Sequence, residues 1–125
     1  MSYLPIVTRF SKTNISAPST GATLIGTTEN GTQKFYTLHI LVSVRTANTI
    51  LAVATCSIGT NGATYNNILP ATALTGLTAA NMYLRSEILT ATGSVNANTE
   101  IYVNITVAAT ATAKQIDLHL LGYYE

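Results

Sequence analysis

The sequence has few charged residues and a single cysteine, and each scarcity excludes a class of function. Charged side chains make up 9% of the 125 residues, against roughly 25% in soluble domains. The six basic residues form no run, which argues against direct nucleic-acid binding, because neutralising several phosphates needs clustered positive charge. Cys56 allows neither an intrachain disulfide nor a cysteine-based zinc site, and we interpret it as a small buried residue.

Long apolar stretches are also missing. No run approaches the ~18 apolar residues of a membrane span, and MSYLPIVTRF lacks a basic region followed by an apolar one. We therefore expect no membrane span and no signal peptide. The chain should stay in the cytoplasm where it is made, or be assembled there into something larger.

What the chain does have is alternation of apolar and polar residues. The stretch TEIYVNITV places Ile101, Val103, Ile105 and Val107 on one face, and QIDLHLL repeats the pattern with Ile116, Leu118 and Leu120. Side chains of a strand point alternately to its two faces, so this pattern predicts two strands that each bury one face.

An earlier run, KFYTLHILVSVR, also alternates. It predicts a core face of Tyr36, Leu38, Ile40, Val42 and Val44, with His39 on the opposite face. The Asn30-Gly31 pair before it suits a tight hairpin turn, in which both central residues take positive φ.

Short strand-like runs between turn signals continue to the end of the chain. They predict an all-β fold, an antiparallel two-sheet sandwich of the jelly-roll kind. The immunoglobulin-like alternative would lack its tryptophan and its disulfide pair. We place the sandwich at 21–125 and read residues 1–20 as an extended N-terminal arm, because that segment shows no clear period.

The sequence offers little catalytic chemistry. His39 and His119 are predicted on the non-core faces of their strands and, with Asp117 or Glu87, could form a metal or acid-base site. The competing interpretation is polar residues on a solvated or intersubunit face. Seven tyrosines and no tryptophan favour an interface or a sugar platform, because a tyrosine combines an apolar ring with a polar tip.

Three stretches, KFYTLHILVSVRTAN, ATYNNILP and VNANTEIYVNITVAATATAKQIDLHLLGYYE, together resemble small virion proteins of tailed bacteriophages and cyanophages. The resemblance spans roughly residues 34 to 124. It implies a jelly-roll domain that forms homotrimers and serves as a capsid cement (decoration) protein or in tails and fibres. It implies no catalytic residue and no cofactor.

From these observations we expect a non-enzymatic virion protein that trimerises, bridges subunits of the major capsid protein and stabilises the shell. The predicted oligomer interface is His39, Tyr102, His119 and Tyr123. The predicted capsid-binding arm residues are Ile6, Arg9, Phe10 and Lys12. Two alternatives stay open: a trimeric tail or fibre component that binds host glycans through tyrosines and the loops at 59–67 and 71–82, and an enzyme that uses the two histidines.

Overall fold

The computed structural model describes residues 8–17, 19–46, 54–74, 86–90, 93–109 and 115–125. Every regular element in these ranges is a β-strand. The strands are β1 (Thr8–Ser16), β2 (Gly21–Thr27), β3 (Phe35–Thr46), β4 (Thr55–Gly59), β5 (Leu69–Ala73), β6 (Ser86–Thr90), β7 (Ser94–Val95), β8 (Glu100–Val107) and β9 (Gln115–Tyr124). No helix in the same ranges is long and apolar enough to cross a membrane.

The strand pairing is that of a long hairpin wrapped into two sheets. Strand β1 pairs with β9, β2 with β8, β3 with β6 and β4 with β5, all antiparallel. Two further pairs, β3 with β9 and β4 with β8, complete a first sheet ordered β1-β9-β3-β6 and a second ordered β2-β8-β4-β5. The two-residue β7 extends the first sheet beside β3. This is a jelly-roll topology, which confirms the predicted fold class.

The core lies between the sheets, and the alternating strands supply most of it. In β8, Ile101, Val103 and Ile105 are buried, and in β9, Ile116 and Leu118 are buried. The period-two pattern assigns these positions to the core. It is wrong for Val107, which lies at the end of β8 and is 50% exposed. Cys56 in β4 is also buried, as predicted.

The first half of β3 faces the opposite way from the sequence prediction. Phe35 and Thr37 are buried, whereas Leu38 is 44% exposed. The register with β9 shifts between Thr37 and His39, so Leu38 has no partner on that strand. A bulge inserts one residue and inverts the alternation on one side of it, which is why Ile40 and Val42 face the core as predicted and Tyr36 does not.

The hairpin predicted at Asn30-Gly31 is wrong. Strand β2 belongs to the second sheet and β3 to the first, so the segment between them crosses from one sheet to the other. Only Gly31 of the pair has a positive φ, at 143°. A two-residue hairpin turn of the predicted type needs positive φ at both positions.

Nine residues of the segment predicted as an arm form a strand of the sandwich. Strand β1 pairs with β9 at the edge of the first sheet, and Phe10 packs edge-on against Phe35 with ring centroids 5.0 Å apart. Ile15 is buried, although it is an odd number of residues from Phe10. A register shift between Lys12 and Ile15, with φ of 60° at Asn14, interrupts the alternation and hides the strand from a period-two search.

Candidate functional site

The outer face of the first sheet carries aromatic, apolar and imidazole side chains together. Side chains that alternate with core residues on β1, β3 and β9, together with the bulge residue, form it. We define the first-sheet face by Ser11, Tyr36, Leu38, His39, Leu41, Asp117, His119, Leu121 and Tyr123.

Two tyrosines anchor one end of the first-sheet face. Tyr36 and Tyr123 are cross-strand partners, and their rings stack with centroids 5.5 Å apart and planes 17° apart. Leu41 and Leu121 continue the apolar surface as half-buried residues, and Leu38 projects from the bulge. Cross-strand aromatic pairs rigidify such a surface and supply apolar area for a partner.

The two histidines share this face without forming a pair across the strands. His39 lies opposite Leu121 and His119 lies opposite Leu41. The Nδ1 of His119 is 2.8 Å from the Ser11 hydroxyl oxygen, in a hydrogen bond within the same face. Asp117 accepts a hydrogen bond from the Asn14 backbone N–H at 3.1 Å.

The described side chains do not form a metal site. Over the described ranges, no group of three or more histidine, cysteine, aspartate or glutamate side chains converges. The side chain of Glu87, which the sequence interpretation paired with the histidines, lies outside the described part of the molecule. His39 is exposed and His119 is half-buried on the first-sheet face.

The residues predicted for the capsid-binding arm divide into three groups. Arg9 and Lys12 are exposed on β1, the edge strand of the first sheet. Phe10 points inward and packs against the core. Ile6 lies outside the described residues.

A second surface lies on the outer side of the second sheet. Tyr102 of β8 is half-buried, and its cross-strand partner on β2 is Leu24, which is 42% exposed. On the other side of Tyr102 lies the ring of Tyr65, with centroids 4.9 Å apart and planes 42° apart. We call the row Leu24, Tyr102 and Tyr65 the tyrosine ledge.

The ledge ends in a carboxylate. The Tyr102 hydroxyl donates a hydrogen bond of 2.5 Å to Glu100 Oε2. Because this bond holds the phenol proton, and the nearby negative charge opposes ionisation, the pKa of Tyr102 lies above its usual value. Tyr102 therefore stays a neutral donor at physiological pH.

The loop between β4 and β5 holds Tyr65 in place through an asparagine at its centre. Asn61 Oδ1 accepts from the backbone N–H groups of Asn66 at 2.9 Å and Asn67 at 3.3 Å. Its Nδ2 donates to Thr64 Oγ1 at 2.8 Å and to Asn66 Oδ1 at 2.7 Å. We call residues 60–67 the asparagine loop.

Chains of three solved phage capsid structures have the same fold. A chain of the cyanophage Pam1 capsid asymmetric unit aligns with a TM-score of 0.56 at 14% identity, over 94% of this chain and 83% of that one. A chain of the acidic stable capsid of Helicobacter pylori bacteriophage KHP30 aligns with a TM-score of 0.56 at 10% identity, over 98% and 90%. A chain of the Ralstonia phage GP4 capsid aligns with a TM-score of 0.51 at 17% identity, over 98% of this chain and 90% of that one.

At these identities the likeness shows a common fold. No family model and no curated protein matches the sequence. The alignments nonetheless cover most of both partners, so each matched chain is itself little longer than this one.

The residues predicted as one interface lie on two surfaces. His39, His119 and Tyr123 share the first-sheet face, whereas Tyr102 belongs to the tyrosine ledge on the other sheet. Sequence reasoning missed Tyr36 and Leu38, because the bulge in β3 was invisible to it. It also missed the pairing of Tyr65 with Tyr102, for which the only signal is a tyrosine in a loop rich in asparagine and threonine.

Proposed function

We propose that this chain is a non-enzymatic structural protein of a phage virion and a component of its capsid. The observation that carries the proposal is the likeness of fold to chains in three phage capsid structures, over 94–98% of this chain and 83–90% of theirs. A small jelly-roll chain thus occurs as a unit in the capsids of phages from different hosts. The virion is accordingly the proposed location.

Within the capsid we assign the chain to the cement, or decoration, class. Such a protein bridges neighbouring subunits of the major capsid protein and stabilises the shell by contacts alone, with no cofactor. The low content of charged residues, 9%, supports this assignment, because it leaves much of the surface suited to burial against partners.

The first-sheet face is the proposed contact between copies, in a homotrimer. Its stacked Tyr36 and Tyr123 and its exposed Leu38 give it an apolar centre, and His39 and His119 add polar groups around that centre. Interfaces combine an apolar, aromatic core with a polar rim in this way.

The capsid contact is assigned to the edge of the first sheet. Among the strands that the structure describes, β1 pairs only with β9, so its other edge offers backbone N–H and C=O groups to an extended segment of a neighbour. Arg9 and Lys12 are exposed on this strand and add positive charge that would complement acidic capsid residues.

A trimeric tail or fibre component that binds host glycan is the competing proposal. It would have the same fold and the same oligomer, and it differs in the structure to which the trimer attaches. The capsid origin of the structural neighbours favours the capsid.

Charge reversal on β1 tests the capsid contact. Co-sedimentation of the protein with empty phage heads should fall at least several-fold in the double variant Arg9→Glu and Lys12→Glu, because like charges replace complementary ones. Lys34→Glu is the matched control, since Lys34 is an exposed basic residue in the segment between β2 and β3. Equal loss in the control, or no loss in the double variant, would contradict the assignment of β1.

A further inference from the structure

The asparagine loop folds over the outer side of the second sheet. Ser57 lies on that side of β4, opposite Asn104 of β8, yet it is fully buried. Its hydroxyl donates to the Thr64 carbonyl at 3.3 Å, so the loop itself covers it. Gly59 has no room for a side chain, because a Cβ there would meet Asn67, Tyr65 and Asn61. The loop is therefore seated closely on the sheet, and it carries Tyr65 to Tyr102.

The position of Tyr65 is fixed before any ligand arrives. Its backbone N–H donates to the Asn61 carbonyl at 2.8 Å, and its φ of 46° lies in the left-handed region. Ala63 takes a φ of 75°, so the loop holds two non-glycine residues in an unusual conformation. Such conformations persist where surrounding contacts enforce them. A ring held this way loses little freedom on binding, which favours affinity.

The polar groups around the ledge suit a ligand rich in hydroxyls. Glu100 accepts one hydrogen bond from Tyr102, and a carboxylate has further lone pairs for other donors. The exposed Asn66 side chain uses its Oδ1 within the loop, and no described residue accepts from its Nδ2. The ledge thus combines apolar ring surface with acceptors and donors at its margins.

Charge limits the choice of ligand. The sequences of β2, β4, β5, β8 and the asparagine loop contain no lysine and no arginine. Glu100 is an acidic residue beside the ledge, so a sulfated, phosphorylated or carboxylated ligand would meet repulsion, with no compensating cation on these strands or in this loop.

Size argues against a protein partner at the ledge. A standard protein interface buries about 800 Å² on each side, whereas a tyrosine contributes at most about 150–250 Å². The apolar part of the ledge is two half-buried tyrosines and one leucine, which is small beside the apolar core of a standard protein interface. It matches a ligand of a few rings.

We propose that the tyrosine ledge is a binding site for a neutral glycan. The apolar faces of pyranose rings would stack on Tyr65 and Tyr102, while Glu100 and Asn66 bond to ring hydroxyls. The ledge lies on the second sheet, whereas the proposed trimer and capsid contacts lie on the first. The site would thus let a capsid-bound trimer hold cell-surface or extracellular polysaccharide, and its glycan binding does not depend on the capsid role.

The test is binding of the purified full chain to an array of neutral and anionic glycans, followed by affinity electrophoresis in dextran and galactomannan. We expect binding to at least one neutral glycan. Tyr65→Ala should weaken that binding by roughly tenfold or more, because the stacking surface is lost. Tyr65→Phe is the matched control: it keeps the ring and should bind like the wild type.

A second variant keeps the test decisive if Tyr65→Ala disturbs the loop. Leu24→Ala shortens an exposed side chain on β2 at the other end of the ledge and should also reduce binding, with the fold verified by circular dichroism. Three results would overturn the proposal: no neutral glycan bound at millimolar concentration, binding confined to anionic glycans, or wild-type affinity in both the Tyr65→Ala and Leu24→Ala proteins.

Discussion

Gly122 of β9 lies opposite Thr37 of β3, next to the bulge at Leu38. A Cβ at this position would meet the Tyr36 carbonyl oxygen and the ring of Phe35. Backbone and a fully buried ring leave the added methyl no room, so the strain cannot be relieved by a flexible surface side chain.

We therefore expect Gly122→Ala to lower the free energy of unfolding by roughly 1–3 kcal/mol, the range for an overpacked core. Urea denaturation measures this change. Gly62→Ala is the control, because Gly62 is exposed in the asparagine loop and a Cβ there meets no atom within 4 Å; its effect should stay within about 0.5 kcal/mol. If both variants unfold at the same urea concentration as the wild type, the close packing of β9 against β3 at Gly122 would be contradicted.

At the scale of a single element, the asparagine loop depends on one side chain. Asn61 Oδ1 is the acceptor for two backbone amides, and Asn61 Nδ2 joins two more side chains of the loop. Removing it leaves the Asn66 and Asn67 amides without their acceptor, and no other hydrogen bond between described residues holds those two amides.

Asn61→Ala should therefore speed hydrogen exchange at the amides of Asn66 and Asn67 and lower stability by about 1–2 kcal/mol. Exchange measured by NMR separates this local effect from global unfolding. Asn96→Ala is the control, since the exposed Asn96 side chain makes no hydrogen bond with the described residues. Unchanged protection at both amides in Asn61→Ala would contradict the proposed organisation of the loop.

The strands differ in how well the sequence predicts them. Burial follows a period of two in β9 and in β8 as far as Ile105, so these buried residues were predictable from hydrophobic alternation, whereas Val107 at the end of β8 is exposed. In β1 and β3 the chain has one extra residue relative to β9, which forms a bulge. The bulge depends on how these strands pair with β9, so no local sequence pattern predicts it. Beyond each bulge the alternation of buried and exposed residues is inverted. For this reason the sequence pattern did not indicate strand β1, and it assigned Tyr36 to the core face when Tyr36 lies on the outer face.

The candidate sites were less predictable than the strands. His39, His119 and Tyr123 come together because β3 and β9 are neighbours, and two outward residues on adjacent strands meet only when the register is known. Tyr65 reaches Tyr102 through a loop whose path is set by side-chain hydrogen bonds. Turn chemistry in the sequence indicates a loop at that place, but it does not indicate where the loop points.

For the whole molecule, the jelly roll separates the proposed contacts by sheet. The first sheet presents the face assigned to the trimer and the edge assigned to the capsid, and the second presents the tyrosine ledge. A chain of 13.2 kDa could in this way touch two partners and leave a third surface open.

The most direct test of the central claim is the mass of the purified protein in solution, measured by light scattering without and with empty phage heads. We predict a stable species of three 13.2 kDa chains that disappears from the free fraction as it binds to the heads. A monomer that leaves the heads unchanged would contradict the account of this chain as a trimeric capsid protein.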